Sequence, residues 1–516
     1  MHLTQPLHNA VQRDPERPLT VFGDRTRTAA QSADRVARLA WALRRLGCRP
    51  GDRVGILALN SDRYHEILLA VPWAGAALNP VNTRWHPAEI VHALRESETR
   101  TLFVDDAFAP VVPALRDRWP GLRTVVFCGE GTQPDGSRDY EDLVDGSRPA
   151  QDSCRGGDDV LGVFYTGGTT GEAKGVMLSH RNLMVSALGS LASGGFVRPG
   201  ACLLHAAPMF HLAGLAAWTA GLVAGATHVI VPSFTPGGVL AVMSEHTVTD
   251  VLLVPAMMRM LLDSPDLGRY DLAGVRRIMY GASPITDSLL AAARAAFPLA
   301  GFTQAYGMTE LAPVATLLLP EEHDDPGLRR SAGRPAPHAE VRIVDTSGAE
   351  CPRGRVGEIT VRGEHVMLGY LDRPQETAAA VRDGWLHTGD LGFMDARGYV
   401  HVVDRLKDMI VTGGENVYAA EVENALARHP AVAQCAVVGF PDDQWGETVH
   451  AVVVLKDGRT ATEQELRDTC RGLIAAYKVP RGITFTDSLP LSTVGKVLKR
   501  ELRDRLLKPR QRLADT

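Results

Sequence analysis

Helix-like and strand-like patterns of apolar residues alternate along roughly the first 400 residues of the chain. In residues 28–47 apolar side chains recur at helical spacing, which predicts an amphipathic helix that Gly47 ends. The run RVGILAL at residues 53–59 then predicts a strand, and a polar Asn-Ser-Asp segment offers caps for the next helix. Further short apolar runs come at TLFVDD, TVVFCG, HVIVPS, DVLLVP and RRIMYGAS. This alternation predicts an α/β fold whose mostly parallel sheets are covered by helices on both faces.

One segment, residues 212–231, contains no Asp, Glu, Lys or Arg over a length that would cross a bilayer. It is rich in Gly and Ala, so its hydrophobicity is low, and Gly225 interrupts it. We therefore predict a buried helix to about Ala224, followed by the strand THVIV, which Pro232 closes.

The pattern changes after about residue 340, where short strands of alternating polarity are separated by glycine turns. These strands predict a small β-barrel-like part that completes a large N-terminal domain, residues 1–404. From residue 405 the pattern predicts a small α+β domain, residues 405–516. Its predicted elements are a helix after Tyr418, two strands, a helix over residues 461–477 and a basic amphipathic C-terminal helix.

Composition narrows the class of protein. A chain of 516 residues is too long for one core, since single cores stop growing at about 250–300 residues. A net charge of −5 gives no reason to expect a nucleic-acid partner. The seven cysteines form no CxxC pair, which indicates neither a disulfide framework nor a zinc site. The N-terminal segment has no apolar h-region. We therefore expect a cytoplasmic protein with no membrane span.

The segment YTGGTTGEAKG, residues 165–175, directly follows an apolar strand-like run. Glycines expose backbone N–H groups and let a phosphate approach, while threonine hydroxyls and Lys174 add donors and charge. The loop is not a Walker A motif, because Gly175 and not Ser or Thr follows the lysine, and it is not GxGxxG. Taken alone, it is a phosphate cradle or a flexible surface loop.

Six further segments follow this loop in a fixed order, and with it they carry a resemblance to a family. The chain resembles the adenylate-forming acyl-CoA synthetases along nearly its whole length. That family joins a carboxylate to the α-phosphorus of Mg-ATP, releases pyrophosphate, and then forms a thioester with coenzyme A. The six segments are PMFHLAG (208–214), YGASPI (280–285), QAYGMTE (304–310), GWLHTGDLG (384–392), DRLKDMIVTGGENVYAAEVE (404–423) and LSTVGKVLKREL (491–502).

The resemblance implies a nucleotide site with several parts. Tyr306 would stack on adenine, and Asp390 and Arg405 would contact the ribose hydroxyls. The β- and γ-phosphates would be held by Thr166, Gly167, Gly168, Thr169, Thr170, Gly171 and Lys174. The remaining predicted pocket residues, from the second and third segments, are Gly281, Ala282, Ser283, Ala305, Gly307 and Met308.

The resemblance also implies catalytic groups. Thr309 would contact the α-phosphate, and Glu310 would hold Mg²⁺, a hard cation that prefers carboxylate oxygen. Lys496 would neutralise the carboxylate and α-phosphate oxygens during adenylation, where negative charge concentrates. His211 is a fourth predicted catalytic residue, beside the expected acyl pocket.

In this family the small C-terminal domain rotates between the two steps. Lys407 occupies the hinge position, so the predicted C-terminal domain is expected to be mobile. Gly413 and Gly414 would then leave room for the thin pantetheine arm of coenzyme A, which a side chain would block.

The expected acyl pocket indicates the substrate class. Adenylation domains for amino acids carry Asp after Phe, where this chain has Phe210-His211, and the pocket segments contain no arginine for a second carboxylate. We therefore predict an apolar monocarboxylic acid, either fatty, aromatic or terpenoid-like. Ala305 stands where many relatives have Gly, and its methyl group would shorten the pocket at a cost of about 1–3 kcal/mol to long substrates.

Three alternatives stay open beside a complete ligase. One is an enzyme that loads a carrier protein or releases acyl-AMP, and another is a nucleotide-binding regulatory protein without turnover. The third converts only supplied acyl-AMP, and it rests on departures from the family pattern. Those departures are Gly167 for Ser, Ala173 for Pro, Asp404 for Gly and Ala419 for Pro. The oligomeric state, including a dimer, is left open.

Overall fold

A computed structural model describes residues 1–166, 173–283, 285–405, 408–412, 415–442, 446–491 and 497–514. The chain forms two compact units. The first comprises Met1–Val341 and Val361–Leu386, and the second comprises Arg342–Thr360 and His387–Thr516.

The helices of the described residues follow the apolar periodicity of the sequence. They are α1 (Gln5–Arg13), α2 (Ala29–Arg45), α3 (Asp62–Ala74), α4 (Pro87–Glu96), α5 (Val112–Arg118), α6 (Tyr140–Asp145), α7 (His180–Ala192), α8 (Leu212–Ala224), α9 (Pro236–Glu245), α10 (Pro255–Leu262), α11 (Asp287–Ala296), α12 (Pro374–Ala380), α13 (Ala419–Leu426), α14 (Glu463–Arg471) and α15 (Lys499–Ala514).

The strands lie mostly between these helices along the chain. They are β1 (Pro18–Phe22), β2 (Arg25–Thr28), β3 (Arg53–Leu57), β4 (Ala77–Pro80), β5 (Thr101–Val104), β6 (Thr124–Phe127), β7 (Arg138–Asp139), β8 (Val160–Thr166), β9 (Lys174–Ser179), β10 (Cys202–His205), β11 (Thr227–Ile230), β12 (Asp250–Leu252), β13 (Arg277–Gly281), β14 (Gly301–Gly307), β15 (Val314–Leu318), β16 (Arg334–Pro335), β17 (Glu340–Val344), β18 (Gly357–Arg362), β19 (Gly369–Tyr370), β20 (Val381–Arg382), β21 (Trp385–Met394), β22 (Val400–Arg405), β23 (Ile410–Thr412), β24 (Glu415–Val417), β25 (Val432–Asp442), β26 (Gly446–Leu455) and β27 (Gly482–Phe485).

Two large sheets organise the first unit. One has the order β16-β15-β14-β13-β12-β10-β11-β1-β2, and the other has the order β19-β9-β8-β4-β3-β5-β6-β7. Their central strands pair in parallel, and antiparallel pairs occur toward the ends, as between β14 and β15 and between β8 and β9. The α/β class and the predominance of parallel pairing, both predicted from the alternating pattern, are confirmed.

Helix α8 and strand β11 account for the charge-free run of the sequence. Gly225 adopts the left-handed conformation, with φ of 65°, and separates the two elements as predicted. Trp218 in the middle of the helix is fully buried, so the helix belongs to the protein core. Within the described ranges, no helix combines the length and the apolar character that crossing a membrane requires.

Four elements of the first unit meet in a buried cluster of histidines around Trp218. The indole Nε1 of Trp218 donates to His65 Nδ1 at 2.9 Å, and the His65 ring packs edge-on against His228 at 5.2 Å. His205 Nε2 and His228 Nδ1 are 2.8 Å apart. The cluster joins α3, α8, β10 and β11 through aromatic packing and hydrogen bonds.

A smaller five-stranded sheet covers residues 340–405. Its order is β17-β18-β21-β20, and β22 pairs with β21. This sheet is the small β part that the short alternating strands predict.

The C-terminal part of the second unit is α+β, as predicted. Its strands are ordered β24-β23-β26-β25, with β27 parallel to β26. Helices α13 and α14 contribute Val422, Leu426 and Leu466 to an apolar core shared with this sheet. The helix predicted over residues 461–477 is shorter in the structure, because α14 ends at Arg471 and Gly472 follows, a residue that disfavours helix continuation.

Candidate active site

Strands β8 and β9 flank the predicted phosphate loop. They pair antiparallel and place Thr166 directly opposite Lys174. The loop itself, with the predicted residues Gly167, Gly168, Thr169, Thr170 and Gly171, lies outside the described residues. The two ends of a hairpin therefore present one hydroxyl and one ammonium group side by side.

Lys174 has two side-chain partners, and both lie in residues 361–386 of the first unit. Its ammonium group forms an ion pair with Glu376, and it lies 5.0 Å from the centre of the Tyr370 ring. The hydrogen bond from Lys174 lowers the pKa of the Glu376 carboxyl. A carboxylate of the protein thus forms an ion pair with the lysine that the phosphates would contact.

Glu310 lies on a short turn after β14 and is buried, with only 5% of its surface exposed. The hydroxyl of Tyr370 donates to Glu310 Oε1 at 2.9 Å, and Met367 N donates to the Glu310 backbone carbonyl at 2.9 Å. Burial and the neighbouring Glu310 carboxylate raise the pKa of Tyr370, so it stays a neutral donor. The hydrogen bond from Tyr370 therefore helps to orient the carboxylate of the predicted metal ligand.

Tyr370 and Glu376 were not among the residues predicted from the sequence. Strand β19 carries Tyr370 and pairs antiparallel with β9, and Leu371 N donates to the Gly175 carbonyl at 2.8 Å. This pairing brings a segment almost 200 residues away along the chain beside the lysine. The local sequence GYLDRPQET contains polar residues, but it does not indicate by itself that they lie near Lys174. That proximity follows only from the pairing of β19 with β9.

The turn after β13 carries Gly281, Ala282 and Ser283. Gly281 pairs with Ala305 of β14, and a Cβ at Gly281 would lie 2.2 Å from the Ala305 carbonyl oxygen. Ala282 has φ of 65°, a left-handed conformation that is uncommon for a residue with a side chain. Such backbone strain concentrates at functional sites, where surrounding structure maintains it.

Strand β14 carries the predicted adenine contact and leads directly to the catalytic residues. Tyr306 is half-buried and pairs with Thr316 of β15. Gly307, where a Cβ would lie 1.8 Å from the Pro313 carbonyl oxygen, is followed by Met308 and Thr309. The structure thus brings the predicted residues from 305 to 310 together at one strand end.

His211 is the N-cap of helix α8. Its Nδ1 accepts a hydrogen bond from Ala213 N at 3.3 Å. This contact gives the ring a structural role and fixes its position at the start of the small-residue helix.

Asp390 belongs to the second unit and is 4% exposed. Strands β21 and β22 pair antiparallel and place Asp390 directly opposite Arg405, the other predicted ribose contact. The backbone around it is braced, because Thr388 Oγ1 donates to the Ile359 carbonyl at 2.7 Å and Gly389 N donates to Glu358 at 3.1 Å. The structure describes the backbone of Arg405, and its side chain lies outside the described part.

Four further predicted residues, Lys407, Gly413, Gly414 and Lys496, lie outside the described residues. No group of three or more His, Cys, Asp or Glu side chains that would hold a metal ion by itself occurs in the described part of the chain. A single buried carboxylate, Glu310, nevertheless suits Mg²⁺, which typically binds one or two carboxylates together with substrate phosphates and water.

Family models match most of the chain. A model described as AMP-binding enzyme matches residues 7–371, and one described as AMP-binding enzyme C-terminal domain matches residues 421–496.

Curated proteins resemble the chain over almost their whole length. A feruloyl-CoA synthase of Amycolatopsis sp. is 41% identical over 479 residues, 93% of this chain and 94% of that protein. The fatty acid–[acyl-carrier-protein] ligase ScoC of Streptomyces coeruleorubidus is 38% identical over 514 residues, 98% of this chain and 96% of that protein.

Solved structures share the same fold. ATP-bound MatB from Rhodopseudomonas palustris is 32% identical with a TM-score of 0.89, covering 98% of this chain and 99% of that chain. The anthranilate CoA ligase AuaEII with anthranoyl-AMP is 26% identical with a TM-score of 0.89, covering 98% of this chain and 97% of that chain.

Proposed function

Because the chain belongs to the AMP-binding enzyme family and is an AMP-forming acyl-CoA ligase, we propose that its substrate is an apolar monocarboxylic acid, fatty, aromatic or terpenoid-like. It converts this acid with ATP to acyl-AMP and then to the coenzyme A thioester. The observation that carries the complete reaction is the buried Glu310 carboxylate, which Tyr370 orients beside the strand end that bears Tyr306 and Thr309.

The residues present fit a magnesium ion. Tyr370 donates to Oε1 of Glu310 as a neutral donor, and a carboxylate is the kind of ligand that a hard cation prefers. Bound Mg²⁺ would be held by Glu310 and the ATP phosphates and would supply positive charge for the α-phosphoryl transfer.

The protein's own side chains would bind the rest of the nucleotide and the reacting carboxylate. Lys174 and the loop after Thr166 would hold the leaving pyrophosphate, with Lys174 exchanging Glu376 for phosphate oxygens. Tyr306 would stack on adenine, and Asp390 would accept hydrogen bonds from the ribose. Thr309 and Lys496 would contact the α-phosphate and the reacting carboxylate.

Helix α8 supports the apolar substrate class. It begins at the His211 cap, and ten of its thirteen residues are buried, among them Ala216, Ala217 and Ala220. Small side chains leave volume for an acyl group, and no charge on this helix would recognise a second carboxylate. The names of two relatives, feruloyl-CoA synthase and indoleacetate–CoA ligase, are those of enzymes for aromatic monocarboxylates.

A panel of acids tests the proposal. Pyrophosphate release is measured with each acid, with and without coenzyme A, and the thioester is followed by mass spectrometry. Apolar monocarboxylates are expected to give both products, and amino acids and malonate-like diacids are expected to give neither. Thioester from synthetic acyl-AMP without pyrophosphate from any acid would establish instead the enzyme that lacks the first step.

A second candidate function is the loading of a carrier protein, since one relative of 38% identity is named a fatty acid–[acyl-carrier-protein] ligase. The same panel of acids distinguishes transfer to coenzyme A from transfer to a carrier protein. Acyl-AMP that accumulates in the presence of coenzyme A, and is consumed when a phosphopantetheinylated carrier protein is added, would favour the carrier acceptor.

A substitution of Lys496 tests whether this residue serves the adenylation step and not the thioester-forming step. Lys496→Ala is expected to lower pyrophosphate release about 100-fold or more, because a charge aimed at the developing phosphoryl negative charge is lost. The conversion of supplied acyl-AMP to thioester is expected to change less than threefold. Equal losses in the two assays would contradict the role assigned to Lys496.

A further inference from the structure

A cavity of about 190 Å³ lies in the first unit between helix α1 and the C-terminal end of helix α8. Its wall is largely apolar, with Pro6, Leu19, Met184 and Leu222 among its residues. Leu188, also in the lining, is 38% exposed, which is unusual for a leucine beside available apolar surface. Among the residues that the structure describes, none of those assigned to the nucleotide or acyl sites lines this cavity.

Two arginines of the lining, Arg13 and Arg17, converge on Gly225 at the end of helix α8. A Cβ built on Gly225 would lie 3.2 Å from Arg17 Nη1 and 3.7 Å from Arg13 Nη1. The two guanidinium nitrogens are therefore no further apart than the sum of these distances, 6.9 Å. Two like charges at this separation repel each other, and an anion bound between them would offset that repulsion.

The protein supplies no such anion among the residues that the structure describes. Neither arginine forms an ion pair with a described residue, although Asp14, the one acidic side chain of the lining, is close along the chain. With two arginines and one aspartate, the lining side chains carry a net charge of +1.

The end of helix α8 does not account for the two arginines either. Gly225 N donates to the Leu222 carbonyl at 3.1 Å, and Ala226 N donates to the Gly221 carbonyl at 2.8 Å. Gly200 N donates to the Ala224 carbonyl at 3.0 Å. Three of the last four carbonyls of the helix thus have backbone donors already, and a guanidinium group is not needed to satisfy those three.

We propose that this cavity is a second ligand site, which binds a small organic carboxylate with an apolar body. The carboxylate would lie between Arg13 and Arg17, where guanidinium groups form charge-assisted hydrogen bonds. The body would enter the apolar part, whose 190 Å³ exceeds the roughly 150 Å³ of a cavity known to admit benzene. An arylcarboxylate such as 4-fluorobenzoate therefore fits the site in size and charge.

This site is distinct from the acyl pocket proposed above. His211 caps the start of α8, whereas the cavity adjoins Gly225, which ends the helix. Fourteen residues at about 1.5 Å each place these two ends about 20 Å apart. The inference does not depend on the proposed substrate, because it rests on the arginines and the cavity alone.

Ligand-observed fluorine NMR with 4-fluorobenzoate tests the proposal. The full-length protein is used with its active site blocked by a non-hydrolysable acyl sulfamoyl adenosine. Binding to the wild type is expected, and 4-fluorobenzyl alcohol, the uncharged analogue, is expected to bind at least about tenfold more weakly.

Two independent variants address the two halves of the site. R13Q/R17Q removes the charge and Ala10→Phe fills the cavity, and each is expected to weaken 4-fluorobenzoate binding about tenfold or more. R123Q/R138Q removes the same charge from two exposed arginines of the first unit and is expected to bind as the wild type does.

Binding that both site variants retain, or no binding by the wild type, would overturn the second site. Pyrophosphate release by the same variants keeps this result separate from the proposed enzymatic function. It is expected to stay within about twofold of the wild type, and a loss in R13Q/R17Q and Ala10→Phe alike would contradict a site distinct from catalysis.

Discussion

At the scale of single residues, the candidate site contains a buried carboxylate that a neighbouring phenol contacts. Glu310 is buried, and Tyr370 donates to one of its oxygens. An isolated buried carboxylate would tend to bind a proton, since burial disfavours the charged form. A neutral phenol that donates a hydrogen bond stabilises the anion without offering a competing positive charge. We therefore expect Tyr370 to act as a positioning residue for the predicted metal ligand.

Tyr370→Phe tests this role. The substitution removes the hydrogen bond to Glu310 and keeps the ring below Lys174. A hydrogen bond to a charged group contributes about 1.5–3 kcal/mol, so kcat/KM for pyrophosphate release is expected to fall about tenfold or more. A higher Mg²⁺ concentration is also expected for the half-maximal rate, which is measured in a magnesium titration.

Tyr140→Phe is the matched control. Its buried hydroxyl donates to another carboxylate, Glu66, at 2.6 Å. This control is expected to lower stability and to keep the magnesium dependence of the wild type. A Tyr370→Phe enzyme with an unchanged magnesium titration would show that the contact only supports the fold.

At this scale the sequence motifs singled out some of the residues that the structure brings together and missed others. The resemblance singled out Glu310, Tyr306 and Asp390 because each stands in a recognisable segment. Tyr370 and Glu376 escaped because their importance comes from strand β19 lying beside β9, a long-range pairing that no local pattern encodes. The assigned roles of all these residues remain predictions for mutagenesis.

At the scale of elements, the buried histidine cluster links helices α3 and α8 to strands β10 and β11. Burial lowers the pKa of His65 and His205 to about 3, and burial lowers that of His228 well below its ordinary value. All three imidazoles are therefore neutral in the folded protein at neutral pH. The cluster is stable only while its members stay uncharged.

As the pH falls, the fold should therefore lose stability before the carboxylates begin to take up protons. The unfolded histidines take up protons below about pH 6.5, whereas the folded ones do not, so stability is lost as pH falls from 6.5 toward 3. Each histidine contributes a slope of up to about 1.4 kcal/mol per pH unit. Urea unfolding followed by circular dichroism at pH 7.5, 6.5 and 5.5 measures the loss.

A histidine substitution isolates the contribution of the cluster. His228→Gln is expected to reduce the slope of unfolding free energy against pH by about the contribution of one histidine. This expectation holds whatever the substitution does to stability at pH 7.5. His246→Gln, at a half-buried position outside the cluster, serves as the comparison. Equal slopes for the wild type and His228→Gln would exclude the cluster as the acid-sensitive element.

At the scale of elements, periodicity and capping residues predicted whether a segment is a helix or a strand. They predicted the lengths of the elements less accurately. Helix α8 and strand β11 match their prediction because Gly225 is a strong stop signal. Helix α14 is shorter than predicted because the apolar residues after Gly472 do not enter a helix face, and Leu473 is 44% exposed. Periodicity indicates where a helix is able to form, whereas tertiary packing determines where it ends.

At the scale of the whole molecule, the alternation of strands and helices predicted the α/β class, but not the order of strands. Strand β1 joins β11, some 200 residues later, and residues 361–386 belong to the same compact unit as the N-terminal segments. Such contacts depend on which apolar faces meet, information that is distributed over the entire chain. The functional boundary predicted between residues 404 and 405 remains a prediction.

Lys407 tests the predicted domain rotation. Proline fixes φ near −65°, so Lys407→Pro is expected to hold the hinge in one conformation. Acyl-AMP and pyrophosphate formation in a single turnover should persist, while thioester formation should fall about 100-fold. Quenched-flow analysis measures both, with Lys407→Ala as the control that keeps rotation. Thioester formation at the wild-type rate in the proline variant would argue against a hinge at this residue.

The hydrogen bond between Trp218 and His65 also gives the molecule an internal optical probe. The indole is fully buried and shielded from water, so its fluorescence should be blue-shifted relative to that of exposed tryptophans. Protonated imidazole quenches a neighbouring indole, and the emission of Trp218 will therefore darken when the cluster takes up protons. In a variant whose other six tryptophans are replaced by phenylalanine, its brightness would report the acid unfolding of this part of the core.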